Sequence, residues 1–246
     1  MAGSKAVFPR LAPALVALSL SACVSPDRAP ASFTAIAASD RAMAENEPRL
    51  IAGSNGRAQR TGDSLILHFA NGKSRTFRND NKGCDDGPDH CDGYILIGDL
   101  PAFHWFVLFE TAYEGGRFWL YDDRDGLPTE IPYWPTFSAD GTRLLIQNDD
   151  ESSFFEGDSL EIWRRAGFRM EREWIANPGE SDTGVHTDSI LHTKLLSWTG
   201  DRIVLEFRTD EGFDTGTGKR IPERRWTGTI IHKPDGWHLD ARAPKS

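Results

Sequence analysis

The chain has 246 residues, with 37 acidic against 28 basic side chains and a formal net charge of −9. That excess of negative charge works against nucleic acid or an anionic lipid surface as the main partner, because both are repelled at long range. Eight Trp and 14 Phe supply aromatic core material, and 23 Gly with 14 Pro point to frequent turns.

In chain order the first feature is "LAPALVALSLSACVSP", Leu11 to Pro26. It follows Lys5 and Arg10, and no acid precedes Asp27. The apolar or small run from Leu11 to Ala22 is 12 residues long. A bilayer span takes roughly 20 helical residues, so this run fits the apolar middle of a signal peptide instead. No other apolar run approaches membrane length, and the remainder reads as a soluble domain.

The last four residues of the run, Leu20, Ser21, Ala22 and Cys23, resemble the lipobox of bacterial lipoproteins, Leu-(Ala/Ser)-(Gly/Ala)-Cys. The resemblance implies diacylation of the Cys23 sulfur, cleavage before Cys23 and acylation of the new amino group. Two or three acyl chains anchor stably where one is marginal. Val24 stands where an Asp commonly retains such proteins in the inner membrane. The resemblance therefore implies an outer-membrane lipoprotein facing the periplasm, if the cell is Gram-negative. An ordinary secretory leader with a chance cysteine is the alternative. Loss of residues 1–22 removes Lys5 and Arg10 and moves the formal charge from −9 to −11.

Residues 23–48 are rich in Ala, Ser, Pro and charge, and their apolar stripe is thin. They read as a flexible tether with optional helical character. From residue 49 to 246 the texture changes to short apolar segments between turn signals. "SLILHF" and "SRTFRN" flank Asn71-Gly72, a strong hairpin signal.

Next comes the acidic loop "NDNKGCDDGPDHCDG", Asn79 to Gly93. Cys84 and Cys91 are an even pair, and an oxidising envelope compartment favours a disulfide between them. Their spacing is neither a zinc nor a Cys-x-x-Cys redox pattern. Asp80, Asp85, Asp86, Asp89 and Asp92 offer the oxygens that calcium wants. Their order does not match an EF-hand loop, so a solvated, disulfide-stapled loop is the simpler reading and calcium the alternative. No other cofactor is expected.

Further on, "HWFVLFETAY", "RFWLYDD", "TRLLIQNDD", "SLEIWRRAG" with "FRMEREWI", "LLSW" with "RIVLEF", and "TIIHKPDGWHLDA" continue the strand-and-turn rhythm. This is the signature of an all-β sandwich, barrel or propeller. "PTFSADGTRLLI", Pro135 to Ile146, resembles the blade motif of TolB-type, WD-repeat-like β-propellers. The resemblance implies that Ser138, Asp140 and Gly141 form the turn between two strands whose Phe137 and Leu144 fill the core. "RFWLYDDRDG" and "SLEIWRRAG" resemble the outer strand of such a blade, and "KLLSWTGDRIVLEF" a degenerate further copy. Trp119 and Trp163 lie 44 residues apart, about one blade. The expected fold is a small or imperfect propeller of about four to five blades, with an irregular sandwich or meander as alternative.

No catalytic set is complete in the sequence. "SDTGVHTDSILH" contains Ser181, Asp182, His186, Asp188, Ser189 and His192, but there is no Gly-x-Ser-x-Gly elbow. "YDDRDG", Tyr121 to Gly126, reads as a turn. "HWF" (His104 to Phe106) and "YWP" (Tyr133 to Pro135) read as inter-blade packing, with an aromatic ligand site as alternative. The functional expectation is a lipid-anchored envelope binding or scaffold protein, meeting a partner protein or small ligand. A hydrolase using loop carboxylates or histidines is the alternative.

Overall fold

The computed structural model describes residues 40–80, 93–112, 115–148, 159–178, 191–213 and 220–242. The chain starts with helix α1 (Asp40–Gly53). A first sheet follows, β1 (Ala58–Thr61), β2 (Ser64–His68) and β3 (Ser74–Arg78). The second contains β4 (Gly93–Leu100), β5 (Trp105–Ala112), β6 (Gly115–Asp122) and β7 (Pro128–Ile131). The third contains β8 (Pro135–Phe137), β9 (Arg143–Asn148), β10 (Ser159–Ala166) and β11 (Arg169–Ala176). β12 (Leu191–Thr199) and β13 (Arg202–Thr209) open the fourth. A short ribbon of β14 (Gly212–Phe213) and β15 (Arg220–Ile221) precedes its last two strands, β16 (Arg224–Lys233) and β17 (Gly236–Asp240). All pairings are antiparallel and each sheet is a meander in chain order. The all-β expectation is met, in a propeller-like series of sheets that remains open.

One backbone bond recurs in each of the four larger sheets and sets the repeat. The carbonyls of Arg57, His104, Thr142 and Asp201 accept from the amides of His68, Asp123, Arg165 and His232, at 2.8, 3.0, 2.8 and 2.8 Å. Each acceptor immediately precedes a strand. By this bond β1 corresponds to β5, β9 and β13, the second strands of the other sheets. The first sheet thus holds strands two to four of a unit, and helix α1 precedes it where a first strand stands elsewhere. The turn after each third strand carries a glycine of positive φ: Gly72, Gly126, Gly167 and Gly236.

The register refines the tryptophan spacing. Trp163 pairs with Leu144 at the second position of β9, and Tyr121 pairs with Phe106 at the second position of β5. Tyr121, not Trp119, is therefore the counterpart of Trp163, 42 residues before it. A shift of two along a strand keeps the same face, so both tryptophans still look toward the preceding sheet.

The stack explains the apolar pattern. On β5, Phe106 and Leu108 join a core with Leu65, Leu67 and Phe77 of the first sheet. Trp105, Val107 and Phe109 join another with Phe137, Leu144 and Ile146 of the third. On β9, Leu145 turns the other way, toward Ile203, Leu205 and Phe207 of the fourth. A strand buried on both faces has no polar alternation, hence "WFVLF" and "LLI". The outer sheets bury one face only, and β13 alternates strictly between buried Ile203, Leu205, Phe207 and Thr209 and their more open neighbours. Each fully buried Leu, Ile or Phe contributes about 1.5–3 kcal/mol. Among the described residues, no core cluster joins the first sheet to the fourth.

Residues 40–48, expected as tether, are folded. Met43, Glu47, Leu50 and Ile51 fall on one helical face, and α1 lies against β4. The stripe looked thin in sequence because its centre is a carboxylate. Glu47 is buried. It accepts from Arg60 Nε (3.0 Å) and Nη2 (2.6 Å) and from the Leu96 amide (2.7 Å). A buried charge is tolerated when paired and hydrogen-bonded in this way. The helix therefore covers the margin of β4 that would otherwise be an open sheet edge.

Candidate functional site

Among the described residues, a dense charged constellation forms where the first three sheets meet, around the start of β5. β6 ends in Asp122, followed by Asp123, and successive residues of a strand point to opposite faces. Asp122 is fully buried and turns toward the third sheet. Its Oδ2 accepts from Arg165 Nη2 (2.6 Å) and Arg124 Nη2 (2.6 Å), and its Oδ1 from Arg124 Nε (2.8 Å) and the Arg124 amide (2.9 Å). Burial alone would raise the Asp122 carboxyl, but these hydrogen bonds outweigh it and hold it below the ordinary range. Arg165 also donates to the Phe103 carbonyl (2.7 Å) and lies 4.5 Å over the Trp105 ring.

Asp123 turns toward the first sheet. Its Oδ2 accepts from Arg57 Nη2 (2.7 Å), and Arg57 lies 4.6 Å over the Phe106 ring. Arg57 Nη1 is also 3.0 Å from Oδ1 of Asp99 on β4. That contact has Coulomb attraction without hydrogen-bond alignment, and among the described residues Asp99 Oδ1 has no hydrogen-bond partner. Burial pushes the Asp99 carboxyl above its ordinary value; Arg57 opposes this and the neighbouring Asp123 adds to it.

At the solvent rim stands His104, the last residue of the turn between β4 and β5. Its φ is +60°, a left-handed conformation that is uncommon outside glycine. The corresponding turns of the other sheets place Gly56, Gly141 or Gly200 in that region. His104 Nδ1 lies 2.9 Å from Asp123 Oδ1, and its side chain is 49 % exposed. With Nδ1–H donated to Asp123, Nε2 carries the lone pair toward solvent. An imidazole oriented by a buried carboxylate can accept a proton or a hydrogen bond at that nitrogen. Among the described residues, no serine, threonine or cysteine side chain is hydrogen-bonded to it.

Known families, curated proteins and solved structures offer no match to this chain.

The residues singled out in the sequence are distributed differently. Ser138, Asp140 and Gly141 make the turn between β8 and β9. Ser138 Oγ donates to Asp140 Oδ1 (2.7 Å), which also accepts from the Thr142 amide (3.0 Å), and Gly141 has φ +67°. A Cβ on Gly141 would sit 2.3 Å from a ring carbon of Phe103, so the turn also packs against the neighbouring sheet. Trp105 and Phe106 are wholly buried, and Tyr133 and Trp134 pack beside the same core as Trp105. Of the five aspartates of the acidic loop only Asp80 is described; Asp85, Asp86, Asp89 and Asp92 lie outside the described residues, as do Cys84, Cys91 and Cys23. Ser181, Asp182, His186, Asp188 and Ser189 also lie outside them. His192 stands on β12 with Nε2 2.8 Å from Asp210 Oδ2. Among the described residues, no three potential metal ligands converge and no helix is long and apolar enough to cross a membrane.

The sequence reading missed Arg57, Asp99 and Arg165. "YDDRDG" contained the signal, because two acids in a row at a strand end place one carboxylate on each face. Its turn is also present, with the Leu127 amide donating to Asp125 Oδ1 at 2.9 Å.

Proposed function

We propose that the protein is a lipid-anchored cell-envelope binding or scaffold protein that presents an all-β, propeller-like domain to a partner protein or small envelope ligand. The observation that carries this reading is the run Leu11–Ala22 ending in Leu20-Ser21-Ala22-Cys23. Acyl chains on Cys23 hold the mature chain at a membrane. Val24 after the cysteine supports the outer membrane, facing the periplasm. The 16 residues from Val24 to Ser39 then separate the anchor from α1 and give the domain reach. A disulfide between Cys84 and Cys91 belongs to the same oxidising compartment, and calcium in the surrounding acidic loop is the alternative role for its carboxylates.

Metabolic labelling with an alkyne fatty acid tests the anchor. The wild type incorporates label and fractionates with membranes, whereas Cys23→Ser does neither. An unlabelled wild-type protein whose N-terminus lies elsewhere than Cys23 would refute the reading.

Hydrolysis is the second reading, favoured by one observation, the exposed imidazole of His104 oriented by Asp123. In that reading His104 takes a proton from water at Nε2. Loss of turnover in His104→Gln, with the fold retained, is its test.

A further inference from the structure

Two sheets carry the same irregularity in their first strand. On β4 the register with β5 shifts between Leu96 and Gly98, leaving Ile97 as the extra residue. On β12 the register with β13 shifts between Leu195 and Ser197, leaving Leu196 as the extra residue. In both sheets the bulge falls between the third and fourth residues of the second strand, Val107 and Leu108 in one, Val204 and Leu205 in the other. These are the same rung of the repeat. Bulges are designed features, which bend a strand margin and re-aim its groups.

The two bulges differ in what lies over them. The first lies under α1 and beside the core between the second and third sheets: Met43 and Ile97, which is 1 % exposed, both belong to that core, and Glu47 accepts from the amide of Leu96 at 2.7 Å. Arg60 neutralises that carboxylate. The second is bare. Leu196 is 49 % exposed, Lys194 and Ser197 beside it are exposed, and among the described residues only β13 lies alongside β12. Leu195, the counterpart of Leu96, packs at the edge of the fourth sheet's core.

We propose that the β12 bulge docks an amphipathic helix of a partner protein, in the manner that the β4 bulge docks α1. The helix carries an aliphatic side chain to cover Leu196 and, one turn away, a carboxylate to take the Leu195 amide. Lys194 supplies the cation that Arg60 supplies at the first bulge. The requirement is the spacing found in Met43 and Glu47, four residues apart on one face. This rests on reading the domain as a binding module, but not on the lipid anchor.

The test is made in solution on the chain with Cys23→Ser, so failure of the anchor cannot affect it. The probes are fluorescent peptides of residues 40–53, one native and one with Pro48→Ala to favour the free helix. Fluorescence anisotropy is expected to show saturable one-to-one binding, tighter for the Pro48→Ala peptide. Glu47→Gln in the peptide weakens it at least fivefold. In the protein, Leu196→Asp weakens it at least tenfold and Lys194→Glu at least fivefold. Both are exposed positions, so thermal unfolding stays at the wild-type temperature. Three results overturn the proposal: no saturable binding of either peptide, binding that Leu196→Asp leaves unchanged, or self-association of the protein that Leu196→Asp abolishes. The second would mean that the peptide exchanges with α1 itself or that the chain covers its own bulge. The third would mean that a second copy is the occupant.

Discussion

Asp122 and Asp123 are neighbours in sequence, yet they tie the second sheet to different partners. Asp122 receives Arg165 from the third sheet at 2.6 Å, and Asp123 receives Arg57 from the first at 2.7 Å. The same division runs through Trp105 and Phe106, which lie beneath those two arginines. Each seam therefore combines an apolar core with one charge-assisted clamp near its solvent end.

Removing Arg165 leaves Asp122 with Arg124 alone, so the cost is expected to stay below the roughly 3–5 kcal/mol of a buried charge stripped of every partner. Arg165→Met is expected to lower the unfolding free energy by about 1–3 kcal/mol, read as a lower urea midpoint, and Arg165→Lys by less, since lysine keeps a charge for Asp122 although it cannot serve the Phe103 carbonyl as well. Equilibrium urea unfolding measures both. An unchanged midpoint for Arg165→Met would rule out the clamp.

The pH dependence follows from the direction of the Asp122 shift. Its carboxyl is held lower in the folded chain than in the unfolded one. The stability it contributes is thus fully present above the unfolded value of about 3.9 and is lost as pH falls through the folded value. Asp122→Asn is expected to be less stable than wild type at pH 7, with the gap closing on acidification below about pH 4. Thermal melts across that range check the sign.

Asp99 behaves oppositely. Its carboxyl is raised in the folded state, chiefly by burial. Its ionisation opposes folding once pH exceeds the unfolded value, and any stability from the protonated form is gone above the folded value. Asp99→Asn removes that charge and leaves Arg57 paired to Asp123. The melting temperature at pH 7 is expected to rise by a few degrees, about what 1 kcal/mol gives in a domain of this size. A fall would show that the Arg57 contact outweighs the burial of Asp99.

Glu47 holds α1 in place. Glu47→Leu keeps the helix but leaves Arg60 without its carboxylate and the Leu96 amide without an acceptor. The loss is expected to be local: faster proteolysis within residues 40–56, with hydrogen exchange across β9 and β13 unchanged. Protection of α1 equal to wild type would contradict this.

His104 carries a backbone cost of order 1–3 kcal/mol for its left-handed conformation. His104→Gly removes that strain and loses the Asp123 contact, whereas His104→Ala keeps the strain and loses the same contact. Glycine is expected to be the more stable variant by about 1 kcal/mol. Thermal unfolding of the pair decides it, and equal stabilities would mean that the turn relaxes without cost.

The strand content was legible in the sequence because it is local. Asn71-Gly72, Gly167 and Gly200 mark tight turns wherever they stand, and strand alternation is read without knowing any neighbour. The burial of Glu47 was not legible. Its carboxylate is stabilised by Arg60, 13 residues later, and by the Leu96 amide, 49 residues later. In isolation it reads as a charge that breaks an apolar stripe. The four-strand repeat was partly legible at "PTFSADGTRLLI". The first sheet hid its membership because it begins at a second strand.

The sequence by itself determined the all-β class, the turns and the apolar segments, because propensity and alternation depend on residues a few positions apart. The resemblance of Leu20 to Cys23 to a lipobox is equally local, and it marks a candidate processing site. Only the tertiary structure decided which faces of β5 and β9 meet which sheet, and which acid of Asp122-Asp123 pairs with which arginine. It alone revealed that β4 and β12 share a bulge of which one copy is covered. Those relationships join residues tens of positions apart. They exist only after the sheets have stacked, when burial makes each misplaced charge or uncovered leucine matter.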